Sequence, residues 1–151
     1  MTDTFPDYLE QVRLQRAELG ESMVALEAAL TLPAGTGAVW RRRVRAALTE
    51  LAHDLRDHAT LTEVDGGLYA DIGATAPRLT HGVQLQLGEH AEALAEVDRL
   101  LAERDEGLAD DAAVEAHREA CIRLLGRLVR HRQRTSDLIY QAYAVDIGGS
   151  G

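Results

Sequence analysis

Residues 114–144 read VEAHREACIRLLGRLVRHRQRTSDLIYQAYA. Val114, His117, Cys121, Leu124, Leu128, His131, Thr135, Leu138 and Ala142 follow one another in alternating steps of three and four. That is the period of an α-helix with one buried face, so the segment predicts a single long helix. Ile122, Leu125 and Val129 widen the stripe, which predicts the most buried helix of the chain. His131 falls in the middle of this face. A histidine there is either a polar interruption of a core or one arm of a site built by several helices. What the other segments aim at the same level decides between the two.

Three more stripes of the same kind precede it. Thr4 as N-cap and Pro6 in the first turn open a helix whose seam is Leu9, Val12, Arg16, Leu19, Met23, Leu26 and Leu30, and Pro33 ends it. A second helix is predicted from about Thr36 to Asp65, with Trp40, Val44, Ala47, Leu51, Leu55, His58 and Leu61 on one face and His53 turned to solvent. A third starts near Pro77 and carries Leu79, Val83, Leu87, His90, Leu94, Val97 and Leu101, with His81 off the stripe. GGLYADIGATAP (66–77) reads as an ordered connection whose Leu68, Tyr69 and Ile72 pack over the bundle end, and ERDEGLADD (103–111) as a turn. Four amphipathic helices on short links predict an all-α, up-down-up-down four-helix bundle.

Composition agrees. Of 151 residues, 46% are apolar but only 4% aromatic, the balance of strong helix formers. The expected organisation is one domain over residues 1–147 and a flexible tail at 148–151. All 16 basic residues are arginine, which suggests a GC-rich bacterial genome. A net charge of −9 argues against nucleic acid as a partner, because that binding rests on neutralising phosphates. The single cysteine fits a reducing compartment, no run is apolar enough to span a membrane, and MTDTFPDYLE lacks the pattern of a secretion signal. A cytoplasmic protein is the expectation. WRRRVR (40–45) reads as a solvated, salt-bridged helix face. No residue stands out as catalytic acid, base or nucleophile.

One polar residue interrupts each stripe: Arg16, His58, His90 and His131. If these fall in one layer, the layer is a hydrogen-bonded, metal-free register device, a metal site, or a cationic interior suited to a small anion or carboxylate. His117 reads as an end-of-bundle residue. A faint internal repeat, DHATLTEVDGGLYADI (57–72) against RHRQRTSDLIYQAYAVDI (130–147), suits two related helical hairpins.

On the helix count, the phrase LGEHAEAL (87–94) and the histidines followed by LY or IY, the chain from Tyr8 to about Tyr143 resembles the hemerythrin-like, or HHE cation-binding, family. The resemblance implies a non-haem iron site inside the bundle, with His58, His90 and His131 as ligands. It also implies departures. Arg16 stands where a first-helix histidine is expected, Thr62 and Thr135–Ser136 stand where the bridging carboxylates are expected, and Leu94 replaces a further histidine. Glu63 is the best carboxylate left, with Asp65 and Asp137 behind it. Two close cations need anionic bridges, so the expectation is a degenerate centre holding one iron or zinc ion or a small ligand, with di-iron disfavoured. Arg16 would oppose a second cation or contact an anion. The alternatives are a metal-free structural or adaptor module, and an intact O₂- or NO-binding iron protein. The first-helix seam could also serve a homodimer. The tail VDIGGSG could dock to a partner protein, being similar to the short Ile/Leu-Gly peptides that load cargo into bacterial encapsulin shells.

Overall fold

The computed structural model describes residues 7–34 and 37–144. Five α-helices follow one another: α1 (Asp7–Leu30), α2 (Ala38–Glu63), α3 (Leu68–Thr75), α4 (Thr80–Ala102) and α5 (Asp111–Tyr143). Short 3₁₀ turns at Pro77–Leu79 and Asp105–Leu108 lead into α4 and α5. The four long helices form the expected bundle, α1 packing on α2, α2 on α4, α4 on α5, and α5 back on α1. Thr4, Pro6, Thr36, Val145, Ile147 and the 148–151 tail lie outside the described residues.

Local chemistry sets the ends. Asp110 caps α5 by accepting the Ala113 N–H at 2.8 Å. Gly66 takes φ +77° in the bend after α2, a conformation that favours glycine. Beside it, a Cβ on Gly67 would stand 2.8 Å from Val64 Cγ1, so the chain turns here only without a side chain. Arg45 bonds the carbonyls of Leu101 (2.9 Å) and Glu103 (2.6 Å) at the C-terminal end of α4, and Arg41 pairs with Asp105 at 3.4 Å. These contacts absorb two of the WRRRVR arginines into the fold.

The segment expected as a connection is itself helical. Gly67 ends the bend, and Leu68, Tyr69 and Ile72 then face inward together, all buried. They pack with Leu9, Val12, Val83, Leu138 and Ile139 into an apolar cluster that closes one end of the bundle. A larger cluster fills the other end, with Leu19, Leu26, Trp40, Leu51, Leu55, Val97, Leu124 and Leu128 among its members. Cys121 belongs to it, fully buried, and burial pushes its thiol up to about 12.

Ile122 and Val129 do not widen the buried face of α5. They are 52% and 54% exposed, because the arc between α4 and α1 is already filled by Leu124, Leu128 and His131, and one residue further turns the side chain outward. Leu51, with no exposed surface, sits deep in the larger cluster. Leu51→Ala is expected to cost about 3 kcal/mol, read as a lower midpoint in chemical denaturation.

Between the two apolar clusters lies a polar layer. Its members are Gln15 and Arg16 on α1, His58 and Thr62 on α2, Gln86 and His90 on α4, and His131 and Thr135 on α5. On α1, α4 and α5 they fall in sequence between residues of one cluster and residues of the other, and on α2 His58 falls between Leu55 and Leu61 with Thr62 directly after. All are buried.

Candidate metal centre

The three stripe histidines meet. His131 Nε2 lies 3.2 Å from His58 Nε2 and 3.0 Å from His90 Nε2. Their rings stand at steep angles to one another, with centroids 4.7 to 5.3 Å apart. Each is at most 2% exposed. The helical period brings them there: each is a stripe position, and the antiparallel course of α2, α4 and α5 puts the three at one level.

The outer edge of each ring is held by an oxygen. His131 Nδ1 faces Glu89 Oε1 at 2.7 Å, and His90 Nδ1 faces Glu63 Oε2 at 2.6 Å. His58 Nδ1 faces Gln15 Oε1 at 3.1 Å. Gln15 has its own orientation fixed, since its Nε2 donates to the Asp54 carbonyl at 2.7 Å and leaves the oxygen for the imidazole. All three Nδ1 atoms therefore donate, which makes them N–H groups and leaves Nε2 as the lone-pair nitrogen in each neutral ring.

The imidazoles are neutral. Burial pushes His58 well below its usual value, with the neighbouring His90, His131, Arg16 and Arg132 adding to the effect. Burial also lowers His90, and it takes His131 to about 4 despite the opposing pull of Glu89. The His90–Glu63 and His131–Glu89 contacts are thus hydrogen bonds from neutral rings rather than ion pairs. Burial raises the Glu89 carboxyl, yet the bonds from His131 and Arg134 outweigh it and hold it below the ordinary range. Three lone pairs converging on one point repel one another and attract a cation.

Donors held ~2.1 Å from a common ion are roughly 3–3.4 Å apart, which is the spacing of the bonded nitrogens here. The set could hold one metal ion. A second group, His53, Asp54 and Asp57, stands on the outer side of α2 and could also hold one ion. Its members are already engaged, His53 with Asp57 at 3.3 Å and Asp54 with Ser22.

Neutral oxygens flank the histidine layer on the side of α3. Tyr69 donates to Gln86 Oε1 at 2.8 Å, and Thr135 donates to the same oxygen at 2.6 Å. Thr62 and Thr135 also bond the carbonyls of His58 and His131, at 2.7 and 2.9 Å. Thr62 and Thr135, where the resemblance expects bridging carboxylates, bring no charge. Arg16 is buried in the same layer, its Nη2 donating to the Arg132 carbonyl at 3.3 Å.

Glu63, expected to reach an ion directly, has its carboxylate behind the His90 ring, on Nδ1 rather than beside Nε2. Asp65 is exposed after the end of α2, and Asp137 is exposed and bonded by Gln133 at 3.1 Å. His117 lies half-buried against Trp40, with ring centroids 6.2 Å apart, and His81 is exposed.

Sequence reasoning missed Gln15, Tyr69, Gln86 and Glu89. Gln86 was within reach, since it stands four residues before His90 on the same stripe. Glu89 borders a cavity of about 210 Å³ between α4 and α5, with His131, Arg127, Leu128 and Arg134 among its walls. The Glu89–His131 pair thus forms part of the cavity wall. Among the described residues no helix is long and apolar enough to cross a membrane. No protein-family model matches the chain, and neither a curated protein nor a solved structure matches it.

Proposed function

We propose that this protein is a single-ion metal-binding bundle, similar in plan to the hemerythrin-like domains but reduced to one cation. The observation that carries the reading is the orientation of the rings: three Nε2 lone pairs converge while every Nδ1–H is spent on an oxygen. That is how metal-binding histidines are held, the outer acceptor fixing tautomer and ring and raising the basicity of the ligating nitrogen. His58, His90 and His131 are the ligands in this reading. Glu63 and Glu89 act through His90 and His131, and supply the negative charge that neutral imidazoles lack. The ion is one zinc or iron. Arg16 disfavours a second cation, because a guanidinium is always charged and donates no lone pair.

Elemental analysis tests it. The full chain should bind one zinc or iron ion, and His90→Ala should abolish that stoichiometry. Unchanged metal content in His90→Ala would end the proposal. Glu89→Gln keeps a hydrogen-bond acceptor but removes the charge and the pairing with Arg134, and should weaken zinc binding about 10- to 100-fold in a chelator competition. An unaltered affinity would mean that Glu89 only fills space.

The contrasting function is a metal-free adaptor whose polar layer sets helix register. It requires one imidazole to carry its proton on Nε2, against the three outer acceptors. A melting temperature indifferent to chelator and to added metal would establish it.

A further inference from the structure

The layer contains one more donor at ligand spacing. Tyr69 Oη lies 3.2 Å from His90 Nε2, matching the 3.2 and 3.0 Å that separate His131 Nε2 from the other two ligating nitrogens. The phenol ring stacks on His90, 28° from parallel with centroids 5.6 Å apart, and only 5% of the residue is exposed. Gln86 holds the hydroxyl in place at 2.8 Å. The side chain comes from α3, so the short helix that closes the bundle also delivers an oxygen to the histidine layer.

We propose that Tyr69 is the fourth protein donor of the centre, giving three imidazole nitrogens and one phenolic oxygen, a set that selects ferric iron. The inference rests on the single-ion reading above. Three neutral imidazoles bring no charge to a buried cation, and both carboxylates face Nδ1 atoms on the far side of the rings. The other oxygens on the α3 side, those of Gln86, Thr62 and Thr135, are neutral. Among the described residues, a Tyr69 phenolate is the anionic oxygen placed next to Nε2. It is a hard donor, suited to a small and highly charged ion. On coordination the Tyr69 O–H bond breaks, its proton passes to solvent, and an oxygen lone pair forms the bond to iron. No electron is transferred. Gln86 Oε1 keeps the Thr135 hydroxyl as its donor.

The test uses the full chain, stripped with chelator and then given ferric nitrilotriacetate. After desalting, iron per chain and the visible spectrum are measured together. Wild type should hold one iron and show the broad phenolate-to-iron absorption, with tyrosine ring modes enhanced in resonance Raman. Tyr69→Phe should keep iron on the three imidazoles and lose the band. Tyr140→Phe, altered at an exposed site, should keep both. Iron-loaded wild type without the band, or Tyr69→Phe with it, overturns the assignment. Zinc binding with no iron uptake also overturns it, while leaving the single-ion centre standing. Failure to bind any ion brings down both.

Discussion

Saturating zinc is expected to raise the melting temperature of the chain by roughly 10 °C, and His131→Ala to remove that rise. An ion that binds only the folded state stabilises it by RT ln(1 + [L]/Kd), about 4 kcal/mol at a thousandfold excess over Kd. For a chain of this size each kcal/mol moves the midpoint by ~2–4 °C. The folded state offers converging nitrogens already held by Glu89, Glu63 and Gln15, whereas the unfolded chain has separate histidines. His131 Nε2 lies within 3.2 Å of the Nε2 atoms of both His58 and His90, so its loss removes both of those pairs. Differential scanning calorimetry with and without chelator reads the effect directly. A midpoint that ignores zinc would show the layer to be purely structural.

Without metal, stability is expected to fall steeply as the solution is acidified from about pH 6.5. Burial depresses all three layer histidines in the folded state, so the unfolded chain takes up protons first. The stabilisation held by their neutral forms is complete above the unfolded value and is lost as pH falls towards the folded one. For His131, whose folded value is about 4, the loss across that window is roughly 3 kcal/mol. His58 and His90 add to it in the same direction, and Glu89, held below its ordinary range, extends the decline at the acid end. Urea midpoints measured at half-unit steps from pH 7.5 to 4.5 should trace this slope. A curve that stays flat down to pH 5 would mean that the layer opens to water.

The parts of this arrangement that were legible in the sequence are those that a single helix specifies. Period alone placed His58, His90 and His131 on buried faces and separated them from His53 and His81, because exposure of a helical side chain depends on its angle about its own axis. What surrounds the three depends on how one helix is rotated against another, and no local pattern carries that. Glu89 stands one residue before His90 and reads as surface, yet it reaches across to His131 on α5. Glu63 reads in the sequence as the best carboxylate left to reach an ion, but its carboxylate lies on Nδ1 of His90 on α4. Tyr69 lies in a segment whose opening pair of glycines suggests a connection, and only its inward-facing neighbours Leu68 and Ile72 make it a helix. Ile122 and Val129 show the opposite error. Apolar residues beside a stripe look buried in the sequence, and among the described residues no further long helix covers them.

The lone thiol of Cys121 gives the molecule a built-in clock. Fully enclosed among leucines and with almost no thiolate at neutral pH, it is closed to alkylating reagents while the chain stays folded. Its labelling rate therefore counts excursions to the open chain. Following that rate while an ion is added or withdrawn would show whether a cation slows the opening of the four long helices.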